Sequence, residues 1–146
     1  MADCTFCRIV AGEGAAARVV EEDDAVAFLD ARPLFLGHTL LVPRVHVQTL
    51  PDLPAELVAA FFTCARRLTV AVQSGTGADG SLVLVNNVVS QSVPHLHLHV
   101  IPRNRGDGLR FWLGPRRRYA DEAHAARVAA AIRAAYEQGG AAYEHG

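Results

Sequence analysis

The chain has 146 residues, of which 51% are hydrophobic and 20% charged, a balance that suits one globular domain rather than a disordered segment. Fourteen Lys and Arg stand against 15 Asp and Glu, a formal charge of −1, which leaves no electrostatic footprint for nucleic acid or an anionic membrane. No apolar run reaches the ~18 residues that span a bilayer. The start, Met1-Ala2-Asp3-Cys4, lacks the basic and apolar regions of a signal peptide. The expectation is a cytoplasmic protein with reduced thiols, and an odd cysteine count of three argues against a disulfide framework.

Residues 4–12 predict a short helix ended by Gly12. Residues 18–22 and 25–30 then predict a hairpin with Asp23-Asp24 at its turn. Pro33 and Gly37 mark a loop, and residues 38–43 predict a third strand. From Pro54 to about Gln73 the apolar residues Leu57, Val58, Phe61, Phe62, Ala65, Leu68 and Val72 recur at the spacing of one helical face. Pro54 suits the first helical position, Gly75 and Gly77 suit the stop, and Cys64 reads as core packing. Residues 81–86 predict a fourth strand, and a polar loop over 87–92 leads to a fifth. Beyond the loop residues 103–108, an alanine-rich stretch over 121–138 predicts a helix ended by Gly139-Gly140. Its expected buried face is Ala125, Val128, Ala129, Ile132 and Tyr136. Together these predict one α+β domain over 1–146: a five-stranded, largely antiparallel meander with one long helix, a C-terminal helix, and helices on one face.

The chemistry concentrates in His95-Leu96-His97-Leu98-His99-Val100. Strict alternation is the period of a half-buried strand, so His95, His97 and His99 are expected on one face. Three imidazoles are costly to bury without partners and are suited to nucleophilic, acid–base or metal chemistry. At ~3.3 Å per residue, His95 and His99 lie about 13 Å apart along a strand, too far to share one metal. A division of labour among the three fits better. The letters G-x-G-x-x-G at Gly75–Gly80 follow a helix and precede a strand, the reverse of a dinucleotide fingerprint, and read as a helix stop and a turn. Arg116-Arg117-Arg118 reads as a solvated loop. Cys4-x-x-Cys7 has three readings: a redox pair, half of a tetrahedral zinc site completed by histidines, or two unligated thiols.

The run His95-Leu96-His97-Leu98-His99-Val100-Ile101 resembles the signature of the histidine triad (HIT) family, H-φ-H-φ-H-φ-φ with φ apolar. The resemblance covers about residues 4–105, leaving 106–146 as a C-terminal extension. It includes Phe6-Cys7-Arg8-Ile9, Ala27-Phe28-Leu29-Asp30, the stretch from Gly37 to His46, Asn86, and Gln91-Ser92-Val93. It implies a HIT-like fold and hydrolysis of nucleoside 5′-phosphoramidates or related AMP conjugates at the α-phosphate, through a covalent nucleotidyl-histidine. Dinucleoside polyphosphate hydrolysis, or a zinc-stabilised nucleotide-binding protein with vestigial turnover, are the alternatives. By the same resemblance His97 is the nucleophile, His99 holds a phosphate oxygen, and His38 supports the triad. Ser92 and Gln91 stand near the leaving group and phosphate, Asp30 holds the ribose, and Asn86 makes a polar contact near the sugar. Phe6, Ile9 and Phe28 wall the base. Cys4, Cys7, His46 and His95 would bind a structural Zn2+, with no organic cofactor, and the family's usual state is a homodimer. Trp112 resembles an aromatic that some members place across that interface. One departure stands out: Asn86-Asn87-Val88-Val89-Ser90-Gln91 is shorter than the family's loop and lacks its glycines.

Overall fold

The structure, a computed structural model, describes residues 3–110 and 115–143. The chain forms two compact units, Met1–Asp107 and Gly108–Gly146. In the first, helix α1 (Thr5–Val10) precedes strands β1 (Arg18–Glu21), β2 (Ala25–Leu29) and β3 (Thr39–Pro43). A 3-10 turn at Leu50–Asp52 leads into the long helix α2 (Ala55–Thr76), followed by β4 (Gly80–Val85) and β5 (Leu98–Arg103). This is the expected α+β architecture, with five strands joined by four antiparallel pairings in one sheet.

The order is β1-β2-β3-β5-β4, so the meander breaks after β3. The chain crosses through α2, lays β4 on the edge, and returns β5 into the gap between β3 and β4. Leu98 pairs with Leu41 on one side and Val85 on the other, and His99 with Leu40 and Leu84. Both edges of β5 are therefore hydrogen-bonded, as are those of β2 and β3.

Both faces of the sheet are covered, which corrects the expectation of helices on one face. On one side Ala25, Ala27, Leu41, Leu98 and Val100 pack with Phe61, Ala65 and Leu68 of α2. On the other, Val26, Phe28, Leu40 and Val42 pack with Phe6 and Ile9 of α1. Alternation sorts the strand residues between the two clusters, and burial on both faces explains why β2 and β3 read as continuous apolar runs. The face of α2 is narrower than its periodicity suggests: Val58 and Phe62 remain 39% exposed, while Cys64 is buried.

The histidine run departs from a regular strand. The ladder begins only at Leu98, and residues 92–95 bend. Pro94 has no N–H to give a ladder, the His95 N–H turns back to the Val93 carbonyl at 2.8 Å, and the Leu96 N–H donates to Val47 at 2.7 Å. Nor is the run half-buried, since His95 is 0% and His97 3% exposed. Helix α2 passes through Gly75 and ends at Gly77, whose left-handed φ of +68° lets its N–H reach the Gln73 carbonyl.

In the second unit, helix α3 runs over Glu122–Tyr143, past the Gly139-Gly140 expected to stop it. Glycine costs only about 1 kcal/mol per position relative to Ala in a helix. Asp121 caps its start, accepting from the His124 N–H at 2.7 Å. Ala125 and Val128 are half-buried, but Ala129, Ile132 and Tyr136 are exposed, so the anticipated buried face is not realised; among the described residues of this unit no second helix or strand closes over it. Trp112 lies outside the described residues. Among those described, no helix is long and apolar enough to cross a membrane.

Candidate active site and metal centre

Four side chains distant in sequence converge where α1 meets the run before β5. Cys4, Cys7, His46 and His95 present one ligand atom each, all within 4.8 Å of one another. Cys4 is the N-cap of α1, with its Sγ accepting from the Cys7 N–H at 3.4 Å. The His95 Nδ1 lies 3.5 Å from both sulfurs, and the His46 Nδ1 lies 3.2 Å from the Cys7 Sγ. A tetrahedral ion with bonds of about 2.3 Å to sulfur and 2.0–2.1 Å to nitrogen holds such ligands about 3.5 Å apart, so the donor set fits. The tautomer fits as well. The Pro43 carbonyl can only accept, so the His95 Nε2 carries the proton and donates to it at 2.9 Å, leaving Nδ1 as the bare ligand atom. Burial, reinforced by His46 and His97, lowers the His95 pKa despite the Pro43 bond and keeps the ring in its ligating form. Burial and Cys4 push the Cys7 thiol up, while coordination requires the thiolate.

Two residues further on, His97 turns the same logic to another purpose. Its Nδ1 donates to the main-chain carbonyl of His95 at 2.7 Å, which leaves the Nε2 lone pair uncommitted. The ring lies against Phe6, with centroids 5.1 Å apart, and against His99, at 4.9 Å.

A proton relay fixes His99. The Leu34 N–H donates to the His38 Nδ1 at 3.2 Å, so the neutral His38 carries its proton on Nε2 and gives it to the His99 Nδ1 at 2.9 Å. The neutral His99 then holds its own proton on Nε2, a buried atom with no partner among the described residues. Burial, then His97 and His38, push the His99 pKa down to about 4, although Asp30 opposes them. Burial lowers His38 too, against the Asp30 carboxylate, whose Oδ2 stands 3.6 Å from the His38 Nε2. Asp30, His38 and His99 lie close enough to hold a metal, but the relay places a proton where His38 would need a lone pair. An uncommitted imidazole nitrogen beside an unpartnered N–H is suited to attacking an electrophile while a developing anion is held.

The remaining expected residues are distributed around this centre. Phe6, Ile9 and Phe28 come together in the cluster under α1, at 6%, 6% and 2% exposed, with the Phe6 and Phe28 rings edge to face at 5.4 Å. Ser92 is exposed and lines, with Cys4 and His46, a cavity of ≈ 400 Å³. Gln91 is committed within the chain: its Nε2 donates to the Gln48 carbonyl at 2.6 Å and its Oε1 accepts from the Val88 N–H at 3.1 Å. Asn86 donates to the Ser90 carbonyl across the same loop. That loop keeps the left-handed turns that glycine would favour, with Val88 at φ +67° and Ser90 at +62°. Sequence reading missed the groups that set the tautomers, namely the Leu34 N–H and the carbonyls of Pro43 and His95. These belong to the main chain, which every residue carries alike.

A family model described as HIT domain matches residues 11–106. A protein named adenylylsulfatase HINT3, from Arabidopsis thaliana, is 38% identical over 109 residues, covering 73% of this chain and 55% of that protein. Adenosine 5′-monophosphoramidase HNT1 from Saccharomyces cerevisiae is 36% identical over 104 residues, covering 70% of this chain and 63% of that protein. The chain thus matches less than two thirds of the length of either. A zinc-bound histidine triad family protein from Mycobacterium smegmatis superposes with a TM-score of 0.70 at 37% identity, covering 89% of this chain and 98% of that one.

Proposed function

Because the chain belongs to the HIT domain family, we propose that it hydrolyses nucleoside 5′-phosphoramidates or related AMP conjugates at the α-phosphate through a covalent intermediate on His97. The observation that carries this reading is the Nδ1–H bond from His97 to the His95 carbonyl, which leaves Nε2 with its lone pair free. That atom attacks the α-phosphorus, the P–N bond breaks, and the amine departs with a proton drawn from solvent, which the attacking water returns in the next step. Water then attacks the same phosphorus, the bond to Nε2 breaks, and AMP leaves with His97 restored. The unpartnered Nε2–H of His99 donates to a phosphoryl oxygen as charge builds on it. His38 holds His99 in that tautomer. Ser92, with Gln91 behind it, flanks the leaving group, Asp30 takes the ribose hydroxyls, Asn86 stands near the sugar, and Phe6, Ile9 and Phe28 form the apolar floor beneath the base.

Cys4, Cys7, His46 and His95 would hold a structural zinc ion, which supplies no chemistry to the reaction and ties α1 to the active-site strand. The zinc-bound mycobacterial relative supports that identity, and the names of the plant and yeast relatives support nucleotide hydrolysis. The protein would work as a homodimer in the cytoplasm, where its thiols stay reduced.

The test is AMP release from adenosine 5′-phosphoramidate, beside a His97→Ala control. Turnover by the wild type and a fall of at least about 10³-fold in the variant are expected. No AMP from the wild type overturns the substrate class, and equal AMP from both proteins overturns the nucleophile.

A further inference from the structure

We propose that Phe6 is a positioning residue for the nucleophile: it holds the His97 imidazole in the orientation that gives Nδ1–H to the His95 carbonyl and leaves Nε2 bare, and passes to it the rigidity of the Cys4–Cys7 clamp. This rests on the reading of His97 as nucleophile.

A single hydrogen bond, from Nδ1–H to the His95 carbonyl, constrains only one edge of the ring. The torsion that turns an imidazole about its Cβ–Cγ bond is broad and roughly two-fold, and a half-turn would exchange Nδ1 for a carbon and point Nε2 elsewhere. A second contact must resist that turn. His99 flanks the ring on one side, with centroids 4.9 Å apart and planes at 55°. Phe6 provides the other contact, with centroids 5.1 Å apart and planes at 81°.

Phe6 itself cannot retreat. It is 6% exposed, Phe28 stands 5.4 Å away at 65° and His95 6.0 Å away at 70°. In sequence it lies between the two cysteines, on a helix of six residues too short to be stable unless tied down. The same helix turn therefore carries two anchors to the metal cluster and one ring against the nucleophile. Anchoring Cys4 and Cys7 places Phe6, and Phe6 places His97. This assigns Phe6 work on the enzyme's own histidine, beyond lining a base pocket.

The experiment compares wild type, Phe6→Leu and Phe6→Ala in the zinc-loaded, full-length protein. Three quantities are read: bound metal, steady-state kinetics on adenosine 5′-phosphoramidate, and the His97 tautomer from long-range nitrogen–proton NMR correlations of the ring. Phe6→Leu keeps most of the apolar volume, so it reports even where Phe6→Ala fails to fold. Expected for Phe6→Leu are unchanged metal content, a kcat lowered about 10- to 100-fold with KM within about threefold, and His97 nitrogen signals averaged between two tautomers. A rise in KM with kcat retained overturns the proposal in favour of a base-wall role, as does a His97 tautomer unchanged from wild type. Should the wild type release no AMP, the proposed reaction fails, while the tautomer comparison still decides the role of Phe6.

Discussion

His95 holds His97 through its backbone while its side chain joins the two thiols: the carbonyl accepts the His97 Nδ1–H at 2.7 Å, and the imidazole Nδ1 faces Cys4 and Cys7 at 3.5 Å. One residue thus links the orientation of the proposed nucleophile to the Cys4–Cys7–His46–His95 cluster. Whatever loosens His95 is expected to disturb both.

Metal analysis of the purified protein should find about one zinc per chain. Cys7→Ser should lose it and melt about 10 °C lower, because binding at a site absent from the unfolded chain adds several kcal/mol of folding free energy. Thermal melts with and without a chelator check this. A chelated protein that keeps both its melting temperature and its metal-free state removes the clamp.

The pH dependence of stability follows from His99, whose folded pKa of about 4 lies below its ordinary 6.5. Above pH 6.5 the ring is neutral both folded and unfolded. As pH falls from 6.5 towards 4 the unfolded chain takes up a proton that the folded protein refuses, so stability drains across that window and levels off below it. Thermal melts at pH 7 and pH 4.5 should therefore differ more for the wild type than for His99→Asn. Equal pH dependence would place the acid sensitivity elsewhere.

Gly37 stands directly before His38 at φ +100°, and a Cβ there would meet Thr76 Cγ2 at 2.5 Å and Pro102 Cγ at 3.5 Å. Thr76 has little freedom to yield, since its hydroxyl donates to the Val72 carbonyl at 2.6 Å. Gly37→Ala should cost about 2–4 kcal/mol from left-handed strain and overpacking together, read from a denaturant midpoint. It should also slow turnover by displacing His38 from His99.

Val88 presents the opposite case. It is a β-branched residue at φ +67° with its side chain 65% exposed, so it carries strain with little packing to offset it. Val88→Gly should relieve about 1–2 kcal/mol of left-handed strain and lose about 0.5–1 kcal/mol to the freer unfolded chain. The net is a gain of up to about 1.5 kcal/mol, visible as a higher denaturant midpoint. A lower midpoint would mean that the valine makes a contact worth more than its strain.

The alternation through His95–Val100, the apolar helical period over α2 and the Cys4-x-x-Cys7 pair were all legible in the chain, because periods of two and 3.6 and short spacings are local properties. They sufficed for the fold class and for the family resemblance. The same locality explains the failures. Nothing local says that β5 returns between β3 and β4, that α1 covers the second face of the sheet, or that Pro94 bends the run so that its first two histidines precede the ladder. The buried face expected on α3 fails for a related reason, since periodicity marks which residues could be covered and not whether anything covers them.

The site divides along the same line. Sequence alone determined which side chains are chemically able to act: two thiols, a string of imidazoles, a carboxylate at Asp30. Only the tertiary structure decided what each nitrogen does, because a tautomer is chosen by the partner of the other nitrogen. Those partners are the carbonyls of Pro43 and His95 and the N–H of Leu34, main-chain groups present at nearly every position and directed only by folding.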